Sequence, residues 1–474
     1  MTGPTIRLFS LAIAVLPLAG CAAFSPDGGF SGVQALVTSD LPHAPVALRT
    51  AEDAATADAR VRELLKKPLN PTSAVTIALL NNRSLQAAYN TLGISEATMV
   101  RASLPPNPTF SISRVARSGA YEIEAFMIAS VLDLATLPAR ADLAQDRFRQ
   151  AQLQAALETL RIAVTARRAY VRAVASRALV GYLEQATESG EAAATLAKRL
   201  GETGAMNKLD QARNQVFAAE LTAQLATARK IAASEREQLV RALGLWGATL
   251  DFRLPSQLPP LPGRPRSMPQ VETEAVARRI DLQMARIEAA LLAKSYGLTG
   301  ATRFINLLDA GPAYKQTKED HAVSRERGFE VELEIPLYDF GEVRVRAAEQ
   351  NYMRAVNQLL AKAVNVRSEA RDAYRSYRAA YDIARQYQRD VLPLRKIISD
   401  ETLLRYNAMQ IDVFALLTEA RQRITATTAA LEAQREFFLA ETALGVAVLG
   451  GAGEAGPAEP MSVASSPSES VGGH

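Results

Sequence analysis

Thiol, indole and imidazole are nearly absent from this chain. Its 474 residues include one cysteine, Cys21, one tryptophan and three histidines, His43, His321 and His474, far apart in sequence. A lone cysteine excludes an internal disulfide framework. The histidines show no metal-ligand spacing and no evident catalytic base. Neither a phosphate-cradling Gly loop with Lys nor a Gly-x-Ser-x-Gly elbow is present. The expectation is no cofactor, no resident metal and no enzyme chemistry. Aromatics make up only 6%, too few for several bulky cores and suited to extended, closely packed Ala-rich helices. The net charge is +4, and the basic residues are spread along helix faces, which argues against nucleic acid. Beyond the N-terminus no apolar run reaches about 18 residues, so no transmembrane helix is expected.

What the chain does have is helical periodicity. Tyr352, Val356, Leu359, Ala363, Val366, Ala370, Ala373, Tyr377, Ala380, Ala384, Tyr387, Val391, Leu394 and Ile398 recur at alternating steps of four and three. A seam held this long is the pattern of helices coiling around one another, with only Pro393 interrupting. A helix from Val343 to Met409 would run about 100 Å, too long for a compact interior. The partners are in the same chain: a second long helix over Ala139–Leu200, with its seam through Ile162, Ala166, Ala169, Ala173, Ser176, Val180 and Leu183, and returning helices over Lys208–Leu243 and Ile411–Leu449.

The chain is written twice. Thr76-Ile77-Ala78 through Ala88 is echoed by Thr273-Glu274-Ala275 through Ala285, Val131–Arg140 by Ile335–Arg344, and Gly204-Ala205-Met206 by Asn407-Ala408-Met409. Such order-preserving echoes mark an internal repeat. Each half reads as a short helix, two strands, a very long helix, a break and another long helix. Arg7, the apolar run Leu8–Leu18 and the ending Leu18-Ala19-Gly20-Cys21 have the layout of an export signal, and that ending resembles the lipobox of bacterial lipoproteins. The resemblance implies cleavage before Cys21 and acylation there; Ala22, in place of a retaining Asp, points to the outer membrane. The expected organisation is a signal peptide over 1–20, a lipid-anchored extended segment over 21–70, repeats over 71–245 and 270–449, a Pro-rich linker over 246–269, and a disordered tail over 450–474.

The strands alternate. Phe329, Val331, Leu333 and Ile335 interleave with Glu330, Glu332 and Glu334, and Arg303–Tyr314 is expected as the antiparallel neighbour. In the first half, Thr109–Val115 and Tyr121–Leu132 alternate likewise, with Glu122 and Glu124 on the polar side. Alternation alone fits a soluble sheet as well as a membrane barrel. If the strands span, four cannot close a barrel, since about eight is the smallest known; three chains would supply twelve. The glutamates would then line a water-filled lumen; in a soluble sheet they would be a solvated face.

These features together resemble the outer membrane factor family, the TolC-like channels of tripartite efflux pumps and type I secretion systems. The residues that carry the resemblance are Ile335-Pro336-Leu337-Tyr338-Asp339-Phe340-Gly341, a strand-to-helix turn; Leu85-Gln86-Ala87-Ala88; Ser103-Leu104-Pro105-Pro106-Asn107-Pro108, a helix-to-strand turn; and Arg405-Tyr406-Asn407-Ala408-Met409 with Phe414-Ala415-Leu416-Leu417, a periplasmic tip. Asp133-Leu134-Ala135-Thr136-Leu137 departs from the pattern in lacking the glycine that Gly341 supplies. The resemblance implies a mainly α homotrimer with a small β part, a twelve-stranded barrel in outer-membrane lipid and a long α-helical barrel in the periplasm. It also implies a periplasmic adaptor and an inner-membrane pump as partners. Tip residues Gly204, Met206, Asp210, Arg405, Asn407, Met409 and Asp412 are candidates for a gate or adaptor contact, although every helix end needs polar residues. Met206 and Met409 suit a soft metal, or simple packing at a turn. The alternative reading is a lipid-anchored coiled-coil scaffold or adaptor without a pore.

Overall fold

The computed structural model describes residues 23–319 and 322–450. The expected signal peptide, the acylation site Cys21, the tail beyond 450, His321 and His474 lie outside the described residues. Two helices, α1 (Phe30–Val37) and α2 (Ala51–Leu65), precede two similar runs of elements. The first run is α3 (Pro71–Asn81), α4 (Arg83–Ser103), β1 (Thr109–Arg117), β2 (Ala120–Ser130), α5 (Val131–Ala135), α6 (Leu137–Glu202) and α7 (Lys208–Leu243). The second is α8 (Val271–Arg278), α9 (Ile280–Ala301), β3 (Leu307–Glu319), β4 (Ala322–Glu334), α10 (Glu342–Gln386), a π-turn (Tyr387–Val391), α11 (Leu392–Asn407) and α12 (Val413–Leu449). The short opening helix expected of each half is thus a pair of helices. Asn82 and Arg279 break the pairs at equivalent points, with ψ of 111° and 117°.

The helices start and stop where local chemistry dictates. Asn70 caps α3 through a reciprocal bond with Ser73, and Pro71 follows at the first turn, where a missing N–H costs nothing. Asn207 and Asp412 cap α7 and α12 by accepting from Asp210 N and Ala415 N. α6 is a single helix of 66 residues, about 100 Å long. Its counterpart, Glu342–Asn407, is equally long but carries the π-turn ahead of Pro393. A proline inside a helix lacks a donor and collides with the carbonyl four residues back, and the widened turn accommodates both.

The seam read from the sequence is buried only in part. Val366, Ala370, Tyr377 and Ala384 are buried, whereas Leu394 and Ile398 are 58% and 45% exposed, and α11 has no buried residue. Past the π-turn, the described residues leave the seam largely uncovered. The first-half seam is buried from Ile162 to Leu183, with Val180 half-buried.

The largest core lies midway along the molecule, where α1–α4 and the end of α7 surround the middle of α6. A second lies among α8, α10 and α12 and centres on Phe437, whose ring meets Tyr377, Tyr381 and Phe438. Two expectations need correction. The segment before residue 70 is not an extended lead: α1 and α2 bury Phe30, Val33, Val37, Val61 and Leu65 in the first core, and Thr50 and Asp53 form a capping box. The Pro-rich linker is structural, too. Phe252, Leu254 and Leu258 are buried, and three tyrosines of α10 hold its later part. Tyr377 Oη accepts from Arg266 N (2.9 Å), Tyr374 Oη accepts from Met268 N (3.4 Å), and Tyr381 Oη donates to Pro262 O (2.9 Å).

Candidate functional site

The strands form one antiparallel sheet in the order β1-β2-β3-β4, so β1 and β4 are open edges. The partner of β4 starts later than expected and runs further, Leu307–Glu319 rather than Arg303–Tyr314. Ahead of it, Asn306 closes the hairpin base, donating from its backbone to Glu334 O (3.0 Å) and from its side chain to Glu334 Oε1 (2.9 Å). Strand lengths of 9, 11, 13 and 13 residues suit a tilted span of a bilayer. The β2–β3 ladder skips Met127 and Ile128 beside Gly311 and Pro312. Pro312 has no N–H to give there.

Residues directly opposite in a ladder share a face. Glu122 lies opposite Thr317, Glu124 opposite Lys315, Glu330 opposite Gly311, Glu332 opposite Asp309 and Glu334 opposite Leu307. The five glutamates picked from the sequence therefore lie on one face, joined by Ser111, Ser113, Arg117, Asp309, Lys315 and Glu326. The opposite face carries Phe110, Ile112, Ala125, Met127, Ala310, Phe329, Val331 and Leu333 towards the helices, and Arg114, Lys318, Arg325 and Arg327 towards the β-turns. Neither face is covered: Phe110, Ile112 and Phe329 are 68%, 66% and 70% exposed, and every residue of β4 is exposed. A soluble sheet would bury its apolar face, and this one does not.

The carboxylates divide by height. Lys315 Nζ donates to Glu124 Oε1 (3.0 Å) and pairs with Glu122, which neutralises part of the charge nearer the β1–β2 turn. Among the described residues, no ion pair involves Glu330, Glu332 or Glu334. Asp309 sits directly opposite Glu332, and its Oδ1 has no hydrogen-bond partner. Like charges facing each other are tolerable only where water screens them.

The two strand-to-helix turns are built differently. After β4, Phe340 and Gly341 adopt φ of 47° and 72°, and a Cβ on Gly341 would overlap the Arg303 carbonyl. After β2 there is no left-handed residue. Ser130 Oγ accepts from Asp133 N (3.3 Å), and α5 leads through Thr136 into α6. The glycine missing from the first half is not needed.

At the far end, the hairpin tips pair in a way the sequence misaligned. Gly204 N bonds Gly201 O and Ala205 N bonds Leu200 O, while Met409 N bonds Tyr406 O and Gln410 N bonds Arg405 O. Gly204 (φ 75°) and Met409 (φ 58°) are the left-handed residues, and Asn207 and Asp412 are the caps. Gly204 thus matches Met409, two residues out of step with the echo of Gly-Ala-Met and Asn-Ala-Met. Met206 and Met409 are therefore not equivalent: Met206 is half-buried and Met409 is 94% exposed. The tip charges are satisfied within their own hairpins. Asp210 takes Asn207 Nδ2 (2.7 Å) and Arg213 (3.1 Å), Arg405 pairs with Glu401 (3.1 Å), and Asp412 caps Ala415. Asn407 ends α11 and makes no side-chain bond in either hairpin. The hairpins meet where the Arg213 guanidinium lies 4.8 Å from the centre of the Phe414 ring and Arg421 pairs with Glu220 (3.0 Å). Among the described residues, no cluster of His, Cys, Asp or Glu is arranged to hold a metal, and no helix is long and apolar enough to cross a membrane.

No family model and no curated relative matches the sequence. Solved structures do. The transmembrane channel CusC superposes with a TM-score of 0.67 at 14% identity, covering 87% of this chain and 98% of that one. The Campylobacter jejuni outer membrane channel CmeC gives 0.66 at 16% identity, covering 80% and 85%. The outer-membrane channel OprN gives 0.63 at 17% identity, covering 95% and 99%. The fold is therefore that of these outer membrane channels, over nearly their whole length.

Proposed function

We propose that this chain is an outer membrane factor: a lipid-anchored, homotrimeric exit duct in the outer membrane of a Gram-negative bacterium. Three sheets close a twelve-stranded barrel whose apolar face meets lipid and whose carboxylate face meets water. The long hairpins continue the duct through the periplasm to tips that a periplasmic adaptor engages, and an inner-membrane pump supplies the energy. The protein conducts and does not catalyse. One observation carries this reading above the rest: a sheet with one greasy and one acidic face, both bare, and two open edges. Such a sheet has no stable use in water, whereas a closed barrel in a bilayer satisfies every part of it. A scaffold without a pore gives these strands no role.

The test is conductance of the purified protein in planar lipid bilayers. A trimer-sized species should open cation-favouring channels, and Glu330→Lys with Glu332→Lys should shift the reversal potential towards anions. Non-conducting monomers would sink the proposal. Charge reversal at Asp210 and Asp412 together tests the tips as the closed end: conductance unchanged by it would remove those residues from any gate.

A further inference from the structure

The proposed duct requires β1 of one copy to meet β4 of the next, and the register of that seam rests on the same reading. Within one chain the ladders place Thr109 level with Ile128 and Glu330 level with Gly311. Ile128 and Gly311 fall level with each other, between the pairs Phe126–Ala313 and Ala129–Ala310. Thr109 is therefore level with Glu330 across the sheet. At the seam the wet face must continue as wet face. Odd-numbered β1 residues and even-numbered β4 residues occupy it, so the stagger between copies is an even number of residues. Tilt narrows the choice. For twelve strands about 4.8 Å apart, staggers of two, four and six per copy give tilts of about 20°, 35° and 45°. Membrane barrels tilt by about 35–45°, which leaves four or six.

Side-chain chemistry separates these two. A stagger of four sets Ser113, Ser111 and Thr109 opposite the next copy's Glu330, Glu332 and Glu334. It also sets Arg117 opposite Glu326, and Ile112 and Phe110 opposite Val331 and Leu333. It brings the helix-side ends of the two strands flush. A stagger of six sets Val115 against Glu330 on the wet face and moves Arg117 from Glu326 to Gly328. It also carries Phe110 beyond Glu334, where β4 ends. We infer that β1 of each copy pairs with β4 of the next at a stagger of four, with Ser113 facing Glu330. Three hydroxyls then donate to three glutamates at every seam, holding the carboxylates in place while leaving their charge intact. The lower barrel becomes a fixed anionic collar completed only between copies.

Disulfide trapping in native outer membranes tests the register. β1 and β4 are opposite edges of one chain's sheet, so any bridge between them joins two chains. Ser113→Cys with Glu330→Cys, and Ile112→Cys with Val331→Cys, cover both ladder-site types, of which the non-hydrogen-bonded one brings the residues close enough to bridge. Single-cysteine variants control for Cys21. At least one of the two pairs should give dimer and trimer bands on non-reducing gels, well above the controls. The shifted pairs, Val115→Cys with Glu330→Cys and Arg114→Cys with Val331→Cys, should stay at control level. Trimers by an amine cross-linker with bridging only in the shifted pairs, or in none, would overturn the register while sparing the duct. Absence of any trimer would overturn the duct itself.

Discussion

Tyrosine hydroxyls do much of the fastening in this molecule. Tyr374, Tyr377 and Tyr381, one helical turn apart, pin the linker backbone, and two more tyrosines are sealed in the larger core. Tyr89 Oη lies 2.9 Å from Thr159 Oγ1, and Tyr170 Oη donates to Leu69 O at 3.2 Å. Burial pushes both phenols up to about 12. An unfolded tyrosine ionises near 10. These two therefore contribute a stability that is whole below about pH 10 and is lost as pH rises from 10 towards 12. Urea unfolding of the wild type should weaken over that window. Tyr89→Phe with Tyr170→Phe should start lower, by about 1 kcal/mol for each lost hydrogen bond, and fall less steeply. Parallel pH curves for the two proteins would rule the phenols out. The tip makes the same kind of point. Met409 holds a left-handed conformation that costs a side-chain-bearing residue about 1 kcal/mol or more, and Gly204 holds its equivalent without strain. Met409→Gly should slow amide exchange across residues 404–412, and Gly204→Ala should speed it across 199–207.

At the scale of elements, periodicity was legible and exact register was not. The seams of α6 and α10, the breaks at both tips and the alternating strands all follow from repeat spacing, because a long helix or a two-faced strand repeats its demand many times. Single-instance features were harder to read. The tip echo of Gly-Ala-Met and Asn-Ala-Met is a coincidence of letters; the true equivalence lies in the caps Asn207 and Asp412. α1 and α2 went unread because Gly and Pro flank them, although the Thr50–Asp53 box was visible. Asp309, Lys315 and Ser113 were missed as wet-face residues, since their faces depend on registers that only the ladder supplies. The π-turn is also an element-level asymmetry. α6 has no counterpart to it, and beyond it α11 is tied to α12 by Arg395 to Glu419 (3.2 Å) and Gln422 (2.6 Å) and by Arg423 donating to Ser399 Oγ (3.2 Å). Pro393→Ala restores a donor and removes a clash, so it should raise exchange protection at Tyr387–Leu394. Unchanged protection there would mean that packing, not proline, sets the turn.

For the whole molecule, a shortage of bulky side chains becomes a matter of architecture: cores in the middle, bare surfaces at both ends. The exposed apolar residues of α11, Leu394, Ile397 and Leu404, together with the open strand edges, make the proposed trimer inseparable from the stability of its subunits. Unfolding midpoints should therefore rise with protein concentration in detergent, and a midpoint independent of concentration would contradict a folded state shared between copies.

The uncovered sheet also fixes an order of events in the life of the chain. The helices around the two cores carry their own interiors and can condense in water as soon as they are made. The strands have no interior of their own; in the proposed duct the bilayer supplies it. On the proposed reading, the chain should thus reach the membrane as helical staves with four unshaped ribbons, which take form only on insertion.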